Sequence, residues 1–290
     1  MRKRKRRRRG QYAPSRRTVF TLWCLTVLFI GCTAFGAYSF ASAMTNYEFG
    51  NAHYEELRAV ANVTPRPTPS PTPDPGVVPI LLAAPEPEAA VTPTPTPKPT
   101  ATPKPIDFAA LKEINSDIIA WIRLPGTSID YPIVQTNNNS YYLSHLFDGS
   151  SNQLGTLFMD YENKGGFSDQ HILIYGHAMQ DGSMFGSLEN YASAAYYKSH
   201  PEAMIYLPDG SSYRLVIFAA ARLAAFRSLL PVSFESDEDF LRYIEDVRAV
   251  SAFSTGLSVS ANDHVVSLCT CVSDSTDYRF IVSGKLVPVA

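Results

Sequence analysis

The chain has 290 residues, 22 of them proline, and 25 Lys and Arg against 27 Asp and Glu give a net charge of −2. That balance conceals a division: residues 1–17 hold ten of the bases and no acid, leaving −12 for the remainder. An exterior of that sign weighs against nucleic acid as a partner, and the clustered prolines make the globular part much shorter than the whole chain.

Residues 1–17 read as a basic cytoplasmic tail. From Thr18 to Met44 there is no charged residue, and Val19 to Phe40 is long enough to cross a hydrocarbon layer of about 30 Å. Arg2 to Arg9, with Arg16 and Arg17, fix the amino end inside by the positive-inside rule, which places everything after Met44 outside a cell membrane crossed once. Ala41-Ser42-Ala43 also fits a small-residue cleavage site, but the apolar run exceeds the ~7–15 residues of a signal core, which favours an uncleaved anchor over 18–44.

Segment 45–106 reads as an extracellular stalk. Asn46 to Asn62 has the marks of a short helix in Tyr54, Leu57 and Val60, weakened by Gly50. From Thr64 to Pro105 proline, threonine and alanine dominate, with Thr92-Pro93-Thr94-Pro95-Thr96-Pro97 the clearest stretch. Such a composition packs no core and prefers extended polyproline conformations at about 3.1 Å per residue, so it is expected to act as a semi-rigid spacer giving reach.

Residues 107–290 have the composition of one globular domain. Asp107 caps a short amphipathic helix to Ile114. Strands are expected at 118–124, 129–136, 156–160, 171–177, 203–208, 212–223, 264–271 and 278–286, which suggests a mainly β fold closed as a barrel. Between the sixth and seventh strands, Asp237-Glu238-Asp239 opens a helix with Phe240, Ile244 and Val247 at helical spacing.

The chemistry concentrates at Val265-Val266-Ser267-Leu268-Cys269-Thr270-Cys271, an apolar strand that ends on a thiol, followed by a polar turn and a strand opening with Tyr278-Arg279. Two strands joined by a tight turn are antiparallel neighbours, so Cys271 and Arg279 are expected to face one cleft. A free thiol has a pKa of about 8.5 and needs a base or a cation to be a thiolate near neutrality. Ile172-Leu173-Ile174-Tyr175-Gly176-His177 supplies a base at a strand end. His171, six residues earlier and on the same face, is the backup base. The histidines other than His177, namely His53, His145, His171, His200 and His264, read first as surface or strand-end residues. Asp274 and Asp277 are candidates for orienting His177. A Cys269–Cys271 disulfide is disfavoured, because residues two apart on a strand lie about 6.5–7 Å apart at Cα.

These residues resemble the sortases, cysteine transpeptidases with a T-L-x-T-C strand end, an arginine beyond it and a Y-G-H strand end. Ser267 to Cys271, Arg279 and Tyr175-Gly176-His177 match, with Arg279 eight residues past the cysteine as in class B. Ile114 to Ile118 with Trp121-Ile122, Gly126 to Gln135, Phe158-Met159-Asp160-Tyr161 and Asp181-Gly182-Ser183-Met184-Phe185 extend the likeness over about 107–287. The resemblance implies an eight-stranded barrel, with a helix between the sixth and seventh strands flanking a substrate groove. It implies Cys271 as nucleophile, His177 as acid and base, and Arg279 as stabiliser of the oxyanion or clamp on the substrate. Thr270 and Cys269 become candidate substrate-binding positions: Thr270 reads equally as a strand-packing residue, and Cys269 reads first as a small buried hydrophobe near the groove, standing where class B often has serine.

By the same implication, the substrate is a sorting peptide resembling N-P-x-T-[NGS] on an exported protein of a Gram-positive-type bacterium. The acceptor is an amine of a peptidoglycan precursor or a pilin lysine. Two alternatives stay open: a cysteine peptidase transferring only to water, and a non-catalytic wall-spanning binding module. No cofactor and no metal are expected, since there is no phosphate loop and no spaced ligand cluster.

Overall fold

The computed structural model describes residues 15–62, 106–224, 230–272 and 275–289, and the chain divides into two compact units, Met1–Ala52 and His53–Ala290. The basic run from Arg2 to Arg9 and the Pro/Thr-rich segment lie outside the described residues. Helix α1 spans Arg16–Ala61 without a break, so Gly50 does not interrupt it. Within the first unit its large apolar side chains, Leu22, Trp23, Leu28, Phe29 and Phe35 among them, are exposed. By length and composition it is apolar enough to cross a membrane.

The second unit is a closed barrel in the order β1-β2-β3-β4-β7-β8-β6-β5. Its strands are β1 Ile118–Arg123, β2 Asp130–Val134, β3 Leu157–Met159, β4 His171–Gly176, β5 Glu202–Tyr206, β6 Ser212–Ala224, β7 Val265–Val272 and β8 Ser275–Pro288. All eight expected strands are present, shifted by a few residues at their ends. Two pairings are parallel, β2 with β3 and β4 with β7. Parallel neighbours cannot be joined by a hairpin, and the long β4-to-β7 connection carries β5, β6 and two helices, α3 Ala194–Ser199 and α4 Asp237–Ala249.

Helix α4 forms where its sequence pattern places it. Ser236 caps it by accepting from the Asp239 N–H, and Phe240, Ile244 and Val247 are its buried side. These three pack with Leu173, Phe218, Val265, Cys269 and Ile281 in one apolar cluster, which ties the helix to the strands that end at the candidate site.

The segment 64–105, read as a spacer, lies outside the described residues, and the residues that flank it are neighbours. The backbone N–H of Asp107 donates to the carbonyl of Ala61 at 3.1 Å, so the chain leaves and re-enters the second unit at one place. The compact unit that holds the barrel begins at His53.

Tyr54, Leu57 and Ala61, all buried, form the helical stripe that docks the end of α1, with Ala61 in the place expected of Val60. The Tyr54 hydroxyl donates to the Gly155 carbonyl, and its ring meets Tyr131 edge-on at 5.1 Å. Arg58 Nε donates to the Asp130 carbonyl at 3.0 Å, while the Asp130 carboxylate accepts from Trp121 Nε1 at 2.5 Å and Arg123 Nε at 2.9 Å. Helix α2, Phe108–Ile114, then begins under the Asp107 cap, whose side chain accepts from Ala110 N.

Candidate active site

Backbone register assembles the site before any side chain is considered. Strands β4 and β7 pair in parallel through Tyr175 with Cys269 and Gly176 with Thr270, so the next step along both chains sets His177 beside Cys271. Across the antiparallel β7–β8 pair, Cys271 stands opposite Arg279. The ends of β4 and β7 and the start of β8 thus present His177, Cys271 and Arg279 in one row. The Cys271 side chain lies outside the described residues, as do Asp274 and the side chain of Asp277.

A pocket of about 330 Å3 opens at this row, lined by Asn139, Leu143, Phe158, Tyr175, Gly176, His177, Cys269, Thr270 and Arg279. Gly176 is required by crowding: a Cβ there would overlap the side chains of Leu157 and Phe185. That is the local reason for glycine between Tyr175 and His177.

His177 is half-buried, and its Nε2 lies 2.7 Å from the Leu143 carbonyl. A carbonyl only accepts, so Nε2 carries the hydrogen and Nδ1 is the nitrogen left for proton exchange. Its own carbonyl accepts from Phe185 N at 2.9 Å. The Asp181–Phe185 turn that supplies this N–H is built by the Asp181 carboxylate, which accepts from Ser183 N and Oγ. Met184 there takes a positive φ of 50°, an uncommon conformation for a side-chain-bearing residue, and is fully buried.

Arg279 Nη1 donates to the Tyr278 carbonyl at 3.0 Å, and the Tyr278 ring carries the Arg222 guanidinium 4.6 Å from its centroid. Thr270 is 2% exposed, and its Oγ1 has no hydrogen-bond partner among the described residues. Cys269 is 1% exposed and belongs to the apolar cluster around α4 while also lining the pocket.

His171 opens β4, as expected of a strand-end residue, but it is not at this site. It is fully buried, with Nδ1 2.5 Å from the Pro231 carbonyl and Nε2 2.9 Å from Ser267 Oγ. Ser267 Oγ in turn lies 2.8 Å from Ser283 Oγ. The carbonyl fixes the direction of the chain: Nδ1 donates, so Ser267 donates to Nε2 and Ser283 to Ser267. Burial lowers the His171 pKa to about 4. Both nitrogens are committed, which removes it as a backup base.

The remaining histidines stand elsewhere. His145 is stacked on Tyr141 and His200 on Tyr196, His264 reaches the Asp169 carbonyl, and His53 lies 3.8 Å from Asp148. Burial lowers the His53 pKa against the opposing pull of Asp148 and Glu56. Among the described residues, no three or more His, Cys, Asp or Glu are grouped so as to hold a metal ion.

Sequence reasoning did not single out Asn139, Leu143 or Phe158. Asn139 and Leu143 lie on the connection after β2, whose polar run carries no catalytic pattern. Phe158 stood inside a quoted stretch, but only the β3–β4 pairing of Phe158 with Tyr175 shows that it faces the pocket.

A sortase-domain family profile matches residues 122–287. Sortase B of Listeria monocytogenes is 34% identical over 180 residues, covering 61% of this chain and 72% of that protein. Among solved structures, a Staphylococcus aureus sortase B–substrate complex superposes with a TM-score of 0.59 at 30% identity, covering 63% of this chain and 85% of that one. A sortase B complexed with triglycine gives a TM-score of 0.60 at 30% identity, covering 63% and 86%.

Proposed function

This chain belongs to the sortase family, class B, whose members are cysteine transpeptidases, and from that premise we propose how its own residues divide the reaction. Cys271 attacks the carbonyl carbon of a sorting peptide as a thiolate. The C–N bond breaks, and the leaving amine takes a proton from His177. An incoming amine then gives a proton to His177, attacks the thioester carbon and releases the Cys271 thiolate as the C–S bond breaks. Leu143 holds Nε2–H, so the proton passes through Nδ1. Arg279 stabilises the oxyanion or clamps a substrate carbonyl, since a guanidinium remains protonated and cannot serve as base.

The observation that supports this reading is the strand register, with β4 beside β7 and Cys271 opposite Arg279, next to a pocket lined by His177 and Arg279. Thr270 and Cys269 are the substrate-binding residues of β7. A buried hydroxyl without a partner costs about 1–3 kcal/mol, and a peptide in the pocket supplies that partner to Thr270. The substrate bound in the S. aureus sortase B complex and the triglycine bound in a solved sortase B structure support a peptide donor and an amine acceptor here. The donor is an exported protein with an N-P-x-T-like motif, and the acceptor is a peptidoglycan precursor or a pilin lysine. Residues 18–44 anchor the chain in the cell membrane with the basic tail inside and the barrel outside.

Mass spectrometry of the full chain in detergent, incubated with a library of sorting-motif peptides with and without a glycine-type amine, tests this. The expected result is a thioacyl adduct on Cys271 that converts to amine-linked product. Release of free acid alone, undiminished by added amine, identifies a peptidase. Peptide binding with no adduct, while Cys271 still reacts with a thiol reagent, identifies a binding module.

A further inference from the structure

Phe158 and Asp160 are two residues apart, astride the end of β3. Phe158 lines the pocket, and Asp160 stands behind its wall, fully buried. A carboxylate withdrawn from water is stable only among donors, and those around Asp160 are specific. Its Oδ2 accepts from the Tyr175 hydroxyl at 2.9 Å and from Asn139 Nδ2 at 2.9 Å. Its Oδ1 accepts from Glu162 N at 2.9 Å. The backbone is pinned as well, since Asp160 N donates to the Leu173 carbonyl and its own carbonyl accepts from Gln135 Nε2 at 2.8 Å.

Tyr175 and Asn139 both line the pocket, from elements distant in sequence: Tyr175 on β4 beside His177, Asn139 on the connection after β2. Asn139 is held at both ends of its amide, because Oδ1 accepts from Tyr161 N at 2.9 Å. The Tyr175 ring, anchored through its hydroxyl, packs against Phe158 with centroids 5.4 Å apart. One buried oxygen therefore sets the orientation of two side chains that a ligand would touch.

We propose that Asp160 is a positioning residue for peptide binding: through Oδ2 it locks Tyr175 and Asn139 into the geometry that receives the sorting peptide. The inference rests on reading this pocket as the peptide groove. Asp160 reaches the substrate only through those two side chains and takes no part in the proton transfers of His177. Replacing it with asparagine puts an N–H where one of these donors now points, so at least one of them is turned out of place.

The test uses the full chain in detergent and a dye-labelled peptide of the N-P-x-T-G type. Fluorescence anisotropy gives Kd, and peptide mapping gives the iodoacetamide alkylation rate of Cys271. Asp160→Asn is expected to raise Kd about tenfold, equivalent to about 1.4 kcal/mol, with the alkylation rate unchanged. In a chain already carrying Asn139→Ala and Tyr175→Phe, the same substitution is expected to add less than about twofold, because its two intermediaries are gone. An unchanged Kd, a full tenfold loss in that background, or alkylation altered in parallel with Kd overturns the proposal. If Asp160→Asn fails to fold, Tyr175→Phe alone reads the same contact, and an unchanged Kd there overturns it. Peptide binding without a Cys271 adduct in the unaltered chain removes the transpeptidation reading but leaves this one standing; absence of binding removes both.

Discussion

His171 shows how far burial alters a side chain whose sequence context looked ordinary. Its pKa falls from 6.5 to about 4 through desolvation, which fixes the sign of a pH effect. Above pH 6.5 the folded and unfolded forms are both neutral at this residue, and it makes no pH-dependent contribution. Between pH 6.5 and about 4 the unfolded chain binds a proton that the folded chain refuses, so stability falls as pH falls, by about 3 kcal/mol in total. Urea midpoints at pH 7.5 and 4.5 measure this, and His171→Gln is expected to flatten the acid limb; an equal loss in that variant would falsify the assignment. At Cys269 the thiol lies within an apolar cluster, so Cys269→Ser buries a hydroxyl. The variant is expected to retain the Cys271 adduct, shift peptide preference and lower stability by about 1–3 kcal/mol. Arg279→Lys replaces a planar fork with a point charge and is expected to cost at least about tenfold in kcat/KM; near-native turnover would remove the role given to the guanidinium. The Cys, His and Arg were legible because each ends or opens a strand-like run. The supporting residues were not, because an asparagine in a polar loop has no local signature of what it faces.

The clearest lesson among the elements concerns α1 and the segment after it. Composition marks 64–105 as unable to pack a core, and it is silent on where the residues flanking that segment lie. The Asp107-to-Ala61 hydrogen bond answers that, and the docked stripe of Tyr54, Leu57 and Ala61 makes the end of α1 part of the barrel unit. Replacing 63–105 with about four Gly or Ser residues, enough to bridge neighbouring ends, is therefore expected to leave Tm and peptide turnover within error of the parent. A chain starting at 107 is expected to lose several kcal/mol, as large-to-small truncation of one buried aromatic alone costs about 3–5 kcal/mol. Thermal melts of both variants decide this. If the linker replacement is the less stable of the two, the segment has a structural role that its adjoining ends do not reveal. Helix α4 was readable in advance because its cap, acidic first turn and apolar spacing agree, and that agreement is local.

For the molecule as a whole, anchoring and catalysis are expected to separate. A chain lacking residues 1–44 keeps all of His53–Ala290 and is expected to process peptides in solution at the parent rate. In cells, it is expected to leave the membrane fraction and to lose most wall-linked product. Fractionation with quantified product checks this, and undiminished product from the truncated chain would sink the anchor's proposed role. By itself, the sequence determined the class of chemistry, the eight strands and the apolar run, and it nominated the three residues proposed for the site. It could do so because strand periodicity, strand-end motifs and an uncharged stretch are properties of short windows. Only the tertiary structure decided that β4 and β7 run parallel, that His171 is sealed in the core, that Asp160 stands behind the pocket and that 63–105 begins and ends at one place. Each of these is a relation between residues distant along the chain, set by barrel closure and by the requirement that buried polar groups find partners, and no window of sequence contains it.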